Sequence, residues 1–575
     1  MKRSALRIIT LLLSLALILG CFPGCQSGTV SYPNTADEEN GDFTLWVSPS
    51  GFFPASKRPF HAVKWQYNEN EGCYYLYCPT EGDLSKMQIW FSGAKTCSIA
   101  GQTIKNGKKY SIAELVDKEV EVLADDYDYE LVIMKSANIG SMYITTESGS
   151  MDYIHLEKGN EELGSMRLVN ADGKEVYEGD LVSFRGRGNA TWKRPKKSYQ
   201  IQLAKKTDLV GEGAGIAKTW ILLANYGERS LIRNTIAYDL SYDAGMTETP
   251  RSNFVDLYCN GEYMGNYQLS EKVQIGENRI NINDLEKATE AVNDEKLGYY
   301  FTFGEEQALA NSSKGYEIPN NPDDITGGYL LELEMDDRYE PESSGFVTSR
   351  GQAVVIKEPE KASREQVKYI SNFFQEFEDA VFAEDGINPK TGKRFDEYFD
   401  LTSLARKYIL EEFVKNFDAD KTSQFYYKPA DSESTVGFCG PVWDQDNSFD
   451  NFKPAAKNDG MYAANNQKYI YYNLCKQEVF MNEVKRQWKE DYLPLIRMCV
   501  GDAKPLTGTS LKPLTYYYEL LSPSAAMNFT LYDIIDTPIF TSTYVDTGST
   551  YEEHIEYLDR YMTERAEYLS GEWLE

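Results

Sequence analysis

Two acidic loops in the last third of the chain carry the side chains best suited to chemistry. The first, residues 416–424, includes Asp418, and the second, residues 440–450, includes Asp444 and Asp446. Carboxylates clustered at a strand end usually hold a hard cation such as Mg²⁺, and enzymes usually use Mg²⁺ to bind phosphates. A β-prone segment lies between the loops. This order of acidic loop, strand, turn and acidic loop is typical of the catalytic half of a protein-kinase-like site.

The same two loops also fit a structural role or a different enzyme class. Asp-x-Asp sequences are common in surface turns, where the carboxylates only cap the backbone. A metal-dependent glycosyltransferase also uses such a pair to hold a nucleotide diphosphate. An EF-hand calcium loop is excluded, because it requires Gly at position six and Glu at position twelve. Neither loop has them when counted from Asp418 or from Asp444.

A glycine-rich turn at residues 185–192 is suited to phosphate binding. Gly186 and Gly188 allow backbone N–H groups to approach phosphate oxygens closely. The strand that follows is opened by Lys196 and Lys197, and a lysine in that place can pair with phosphate charge. Because side chains alternate along a strand, only one of the two lysines can face a cleft.

The elements that must position these residues follow from the apolar pattern. Short alternating segments within residues 42–150, the last at 141–145, predict a small antiparallel β-sandwich without evident chemistry. Farther along, the pattern predicts an amphipathic helix at 228–240. A hairpin closed by Asn260-Gly261 has the sequence of a type I′ turn.

The second half of the chain is predicted to be mixed and then helical. Residues 284–326 show no sustained period and predict an insertion of low order. Two strands and two helices are expected before the first acidic loop. Helices dominate from residue 471 onward, with a break expected at Pro494.

Length, charge and composition limit the function classes. A chain of 575 residues exceeds one ordinary core, so more than one domain is expected. The formal net charge of −30 argues against nucleic acid and anionic lipid surfaces as partners, and favours basic proteins or cations. The three histidines are scattered and the cysteines show no CxxC spacing. These facts argue against zinc sites, His-based nucleophilic catalysis and a disulfide framework.

The N-terminus has the features of a lipoprotein signal peptide at residues 1–20. Basic residues precede an apolar run that is too short to span a bilayer. The run ends at Cys21, the expected lipidation site, and residues 21–41 have the composition of a polar tether. We therefore expect the chain on the extracellular face of the cell membrane, held only by its lipid. The alternative is a secreted protein or one at a spore surface.

A series of motifs follows in register between residues 152 and 570. They are Phe-Arg-Gly-Arg-Gly-Asn-Ala-Thr-Trp at 184–192, Lys-Lys-Ser-Tyr at 196–199, Ser-Leu-Ile-Arg-Asn at 230–234, Tyr-Cys-Asn-Gly-Glu-Tyr-Met-Gly-Asn-Tyr at 258–267, Gly-Gly-Tyr-Leu-Leu-Glu at 327–332 and Trp-Asp-Gln-Asp at 443–446. Together they resemble the CotH family, the atypical spore-coat protein kinases and their secreted bacterial relatives. The resemblance implies an α+β chain in which residues 152–575 form a reduced, bilobal protein-kinase-like fold after the sandwich. It also implies use of ATP with Mg²⁺ or Mn²⁺ to phosphorylate Ser or Thr of secreted or surface proteins.

The resemblance assigns roles to the acidic loops. Asp444 is the expected metal ligand, with Asp446 second, and Asp418 is the catalytic-loop acid that accepts the substrate proton or orients its hydroxyl. Where the family tends to place an Asn as a second metal ligand, this chain has Gln424 after Ser423. Because the longer Gln side chain fits octahedral Mg²⁺ less easily, a catalytically weak nucleotide-binding or structural protein, a pseudokinase, is the alternative function.

The resemblance also assigns the phosphate-binding residues. Lys197, or less favourably Lys196, would pair with the α- and β-phosphates. Glu228 on the helix, or Glu271 at the hairpin end, would hold that lysine, and Arg233 would brace the same cleft. A secreted, lipid-anchored Ser/Thr kinase is thus the leading hypothesis, followed by the pseudokinase and then by a nucleotide-sugar transferase.

Overall fold

The computed structural model of the chain describes it from residue 42 onward with some gaps. The described ranges are 42–49, 58, 61–211, 213–293, 300–419, 421–457, 459–536 and 543–575, and they belong to a compact unit spanning 38–575. The predicted signal peptide, the tether and Cys21 lie outside these ranges. None of the helices in the described ranges is long and apolar enough to cross a membrane.

Two packed β-sheets form the N-terminal part. Their strands are β1 (Thr44–Ser48), β2 (Val63–Lys64), β3 (Gln66–Asn68), β4 (Cys73–Cys78), β5 (Met87–Ser92), β6 (Cys97–Ile99), β7 (Gln102–Thr103), β8 (Lys108–Tyr110), β9 (Glu119–Ala124) and β10 (Tyr127–Lys135). The sheet orders are β2-β1-β5-β8 and β3-β4-β10-β9-β6-β7. Alternating apolar residues from both sheets share one buried core, as period-two patterning requires.

The sandwich differs from the prediction in two ways. Strand β10 runs parallel to β4, with Leu131 opposite Tyr74, so the sheet is not purely antiparallel. Strand β11 (Gly140–Thr146), which the pattern placed in the sandwich, instead pairs with strands of the following domain. Alternation shows that a segment is a strand with one buried face, but it carries no information about direction or partner.

A closed barrel follows the sandwich. After α1 (Asp152–Leu156) its strands are β12 (Glu161–Val169), β13 (Glu175–Arg187), β14 (Ser198–Thr207), β15 (Ala217–Leu223), β16 (Ser252–Cys259) and β17 (Glu262–Glu271). They close in the order β11-β12-β13-β14-β15-β17-β16 around a core that includes Phe184, Tyr199 and Trp220. Asn260 and Gly261 both have positive φ, 52° and 89°, which confirms the predicted type I′ turn between β16 and β17.

Helix α2 (Arg233–Asp243) begins later than the predicted residue 228. The reason is local, because the Glu228 carboxylate accepts hydrogen bonds from the backbone N–H groups of Ser230, at 2.8 Å, and Arg233, at 3.2 Å. Leu231 has a left-handed φ of 62°. Residues 228–232 therefore form a turn that caps the helix.

A second large sheet lies between the barrel and the C-terminal helices. Its strands are β18 (Thr302–Gly304), β19 (Ser313–Tyr316), β20 (Tyr329–Glu334), β21 (Gly345–Val347), β22 (Ala353–Glu358), β23 (Gln424–Lys428) and β24 (Phe438–Cys439), in the order β18-β19-β21-β22-β20-β23-β24. The helices around it are α3 (Leu285–Ala291), α4 (Asp336–Tyr339), α5 (Arg364–Val381) and α6 (Leu401–Val414). Strand β23 thus connects the two acidic loops.

The predicted insertion at 284–326 has more order than expected. In its described residues, 284–293 and 300–326, it contains α3, β18 and β19, and β19 pairs with β21. The Asp284 side chain caps α3 by accepting from the backbone N–H of Lys287 at 2.8 Å, and Leu285 is buried. Such short elements depend on a cap and a few buried contacts, which a periodicity search does not detect.

Helices form the C-terminal part. They are α7 (Lys453–Ala456), α8 (Ile470–Leu474), α9 (Glu478–Gln487), α10 (Leu493–Cys499), α11 (Leu514–Leu531) and α12 (Tyr551–Leu574). A π-helical turn, Trp488–Tyr492, joins α9 to α10. Pro494 lies in the first turn of α10, where its missing N–H costs nothing, so the irregularity precedes it rather than starting at it.

Candidate active site

The two acidic loops meet beside the ends of α6 and β24. After α6, Lys415 takes a left-handed φ of 49° and turns the chain, and the Asn416 side chain accepts from the backbone N–H of Asp418 at 3.0 Å. Asp444 also has a left-handed φ, 60°, and its carboxylate accepts from the Ser423 hydroxyl at 3.2 Å. Such non-glycine residues cost about 1–3 kcal/mol of conformational free energy and are concentrated at functional sites.

Asp418, Asp444 and Asp446 form what we call the acid cluster. Burial raises the pKa of Asp446 well above its ordinary value, and the charges of Asp444 and Asp418 raise it further. Burial and the Asp444 charge raise the pKa of Asp418 to about 7, against the opposing influence of Arg338 and Lys421. Within the described ranges, no ion pair involves any member of the cluster.

The cluster fits a divalent cation that also binds phosphate. Among the described residues, no three His, Cys, Asp or Glu side chains are arranged to hold a metal ion unaided. Mg²⁺ is usually bound by one or two carboxylates, with waters and phosphates completing its shell. Asp444 and Asp446 supply that number. Gln424 is 2% exposed, and neither atom of its amide has a hydrogen-bond partner, so its carbonyl oxygen is available as well.

The glycine-rich turn lies next to the cluster, and the local structure explains why positions 186 and 188 are glycines. The ring of Trp192 occupies the space where a Cβ of Gly186 would be, and Gly188 has a φ of 91°. Just after the turn, Arg194 interacts with the Tyr544 side chain. Burial and the nearby Asp446 charge raise the pKa of Tyr544 to about 12.

The two lysines do not lie where the sequence predicted. Lys196 is 1% exposed and donates to the backbone carbonyl of Asn266 and, at 2.8 Å, to the Asn528 side chain. Burial lowers its pKa to about 7. Lys197 donates to the backbone carbonyls of Trp192, at 2.9 Å, and Arg194, at 3.1 Å. In the described structure neither lysine contacts the acid cluster.

The expected lysine–glutamate pairing is therefore wrong, because both glutamates have arginine partners. Glu228 forms a fully buried ion pair with Arg233. Its charge also raises the pKa of Asp446, so this pair lies near the cluster. Glu271 pairs with Arg279 at 3.6 Å, and burial raises its pKa to about 7. Arg233 therefore pairs with Glu228, and its role in bracing the cleft stays a prediction.

Sequence reasoning missed charged residues that the fold brings to Asp444. Arg187 lies over the Trp443 ring at 5.3 Å; burial lowers its pKa, and Asp444 is the main opposing influence. Burial raises the pKa of Glu332 to about 8, and Asp444 contributes to the rise. Lys357 pairs with Glu332 at 3.5 Å. Arg187 and Glu332 both lie inside motifs that carry the family resemblance, and those motifs were the available signal for them.

Comparison with known proteins is consistent with this geometry. The family model described as CotH kinase protein matches residues 182–569, which include the glycine-rich turn and both acidic loops. A comparison with curated proteins finds no match. Because the family match covers most of the chain, the protein belongs to the CotH kinase protein family.

Proposed function

We propose that the protein is an atypical Ser/Thr kinase, secreted and lipid-anchored, that transfers the γ-phosphate of ATP to secreted or surface proteins. Family membership supports kinase chemistry. The observation that carries the proposal is the acid cluster, whose carboxylates repel one another beside a glycine-rich turn. Buried groups of one charge without partners destabilise a fold and are concentrated at functional sites.

The cluster supplies the parts that phosphoryl transfer requires. The substrate hydroxyl oxygen bonds to the γ-phosphorus, the bond from that phosphorus to the β–γ bridging oxygen breaks, and ADP leaves. Asp418 accepts the hydroxyl proton, and its pKa of about 7 suits a base that works near neutral pH. Asp444 and Asp446 would hold Mg²⁺ or Mn²⁺, which neutralises phosphate charge when bound.

The preferred substrate follows from charge. A net charge of −30 attracts basic proteins and repels acidic ones. We therefore propose a basic, Ser- or Thr-containing secreted or surface protein as substrate. A location outside the cell depends on the signal peptide and on lipidation at Cys21 expected from the sequence.

The pseudokinase remains the second candidate because of Gln424. Its buried amide stands where the family tends to place an Asn ligand, and its atoms have no partner. A protein that binds nucleotide without efficient transfer would have this departure.

Transfer of labelled phosphate tests the proposal. The chain from residue 42 is incubated with labelled ATP, Mg²⁺ or Mn²⁺ and a basic Ser-containing protein, beside Asp444→Ala, Asp418→Ala and the exposed-loop control Asp172→Ala. We expect transfer that both cluster variants reduce at least about 100-fold and that the control retains. Nucleotide binding without transfer would establish the pseudokinase. No ATP binding by the wild type would overturn both candidates.

A further inference from the structure

The outer face of β13 carries two arginines toward the acid cluster. Arg185 and Arg187 flank Gly186, so they project to the same side of the strand. That side is outside the barrel, because the alternating residue Phe184 is fully buried in the barrel core. The Arg187 side chain lies over the Trp443 ring and interacts electrostatically with Asp444.

A strand irregularity directs a lysine into the same region. The pairing of β20 with β22 passes from Leu330 opposite Glu358 to Leu331 opposite Ile356, which leaves Lys357 as the extra residue of a β-bulge. Bulges re-aim side chains and are common beside active sites. The Lys357 ammonium lies 3.5 Å from Glu332 and 3.0 Å from Glu342.

A second lysine completes the group from the barrel side. Lys272 directly follows β17, and its side chain is exposed to solvent. Nevertheless, surrounding protein lowers its pKa, and the positive charges of Lys357 and Arg185 lower it further, while Glu358 opposes them. Geometry places the segment that starts at Lys272 beside β22, because the backbone N–H of Ile275 donates to the Glu358 carboxylate at 2.9 Å, and Glu358 is the neighbour of Lys357. Among the described residues Lys272 has no ion-pair partner within 4.0 Å.

We propose that Arg187, Lys272 and Lys357 bind the polyphosphate chain of a nucleoside triphosphate, in the role that the sequence assigned to Lys196 or Lys197. This inference rests on the proposed function and specifies its phosphate site. Three cations carried by neighbouring elements near metal-type carboxylates match the several negative charges of a triphosphate. Glu332 and Glu342 hold Lys357 as the glutamate of a kinase lysine–glutamate pair does.

The inference is also consistent with how the other lysines are used. Lys196 already has two acceptors, one on β17 and one on α11, and a phosphate would have to displace them. Lys197 is held by two backbone carbonyls of the glycine-rich turn. Both lysines therefore already have protein acceptors.

Calorimetric binding of ATP, ADP and AMP with Mg²⁺ tests the inference without requiring transfer. The variants are Arg187→Met, Lys272→Met and Lys357→Met, with Lys205→Met as an exposed control lysine on β14 and Lys197→Met as the discriminating variant. Each of the first three is expected to lower ATP affinity about tenfold and AMP affinity much less. The affinity advantage of ATP over AMP should therefore shrink. Denaturant midpoints identify any variant that fails to fold, and Arg187→Lys then replaces Arg187→Met.

The possible outcomes separate the inference from the proposed function. If the wild type binds ATP, and Arg187→Met, Lys272→Met and Lys357→Met bind it equally well while Lys197→Met does not, the inference is overturned and the kinase proposal stands. If the wild type binds no nucleotide, both are overturned. Weakened ATP binding in the three variants, with Lys205→Met unchanged, supports the inference.

Discussion

Two buried charged regions of this protein are constructed in opposite ways. In the first, the Asp256 carboxylate on β16 accepts from the hydroxyls of Ser136, at 2.5 Å, Tyr263, at 2.9 Å, and Ser524, at 2.6 Å. We call these four residues the barrel network. In the second, the acid cluster, buried or half-buried carboxylates repel one another without an ion pair in the described structure.

The difference separates structural charge from functional charge. Burial raises the pKa of Asp256 to about 6, but all three of its hydrogen bonds act in the opposite direction. The barrel network therefore resembles the satisfied polar clusters of ordinary cores. The acid cluster is compensated less, by one hydroxyl at 3.2 Å from Asp444 and by the charges of Arg338 and Lys421 near Asp418, so its arrangement favours a ligand that supplies positive charge.

The largest effect should come from breaking the barrel network. Asp256→Ala leaves three buried hydroxyls without their acceptor, and we expect it to lower the free energy of unfolding by about 3–5 kcal/mol. The midpoint of guanidinium denaturation measures this, with exposed Asp172→Ala as control. A loss below about 1 kcal/mol would show that water replaces the carboxylate and that the two regions do not differ as described.

A buried histidine extends the comparison to pH. His554 accepts from the Thr547 hydroxyl at 2.6 Å and donates to the Ile535 carbonyl at 3.0 Å, and burial lowers its pKa to about 4. A folded-state pKa below the unfolded value of 6.5 contributes stability that is present above pH 6.5 and lost as pH falls toward 4. We expect His554→Gln to remove about 3 kcal/mol of that pH dependence. Denaturation midpoints between pH 7 and pH 4 measure it, and equal slopes in both proteins would contradict it.

Divalent cations should stabilise the fold through the acid cluster. At about ten times its Kd, Mg²⁺ is expected to raise the free energy of unfolding by about 1.4 kcal/mol. Thermal melting with Mg²⁺ and after chelation measures the gain, which should be absent in Asp444→Asn and retained in Asp256→Asn. An equal gain in Asp444→Asn would place the cation elsewhere.

The smallest effect should have the opposite sign to the first. Asp446→Asn removes one of the mutually repelling carboxylates, and at about pH 7.5 without metal we expect it to stabilise the protein by about 1 kcal/mol. Chemical denaturation in chelator measures the change. Destabilisation by the same amount would mean that Asp446 has a partner like those of Asp256.

The same two regions show how far the residues alone predict the fold. The longer strands of the sandwich and barrel, the type I′ turn and both acidic loops follow from patterns local in sequence. The short strands β2, β3, β6, β7 and β8 do not, because two or three residues carry no period. The partner of β11 does not, because alternation in residues 141–145 is equally compatible with the sandwich and the barrel. Pairing across distant segments depends on the whole topology.

The candidate site, like the fold, could be predicted only where the signal is local in sequence. Asp418, Asp444 and Asp446 were predicted because two acidic loops flank a β-prone segment and because their motif resembles that of the family, and the structure brings the three together. Lys196 was misassigned because strand alternation shows which residues share a face, but not whether that face meets the cleft or helix α11. Lys357 was missed because the direction of its side chain is set by a β-bulge, and the sequence has no residue pattern that predicts this bulge.

The closed barrel has a practical consequence for the design of truncated forms of the protein. The family match begins at residue 182, inside β13, and leaves out β11 and β12. A fragment cut there would uncover the unpaired edges of β13 and β16, and such edges recruit strands from other chains. We expect that fragment to aggregate. The border of the shared family sequence is therefore not the border of a unit that can fold alone.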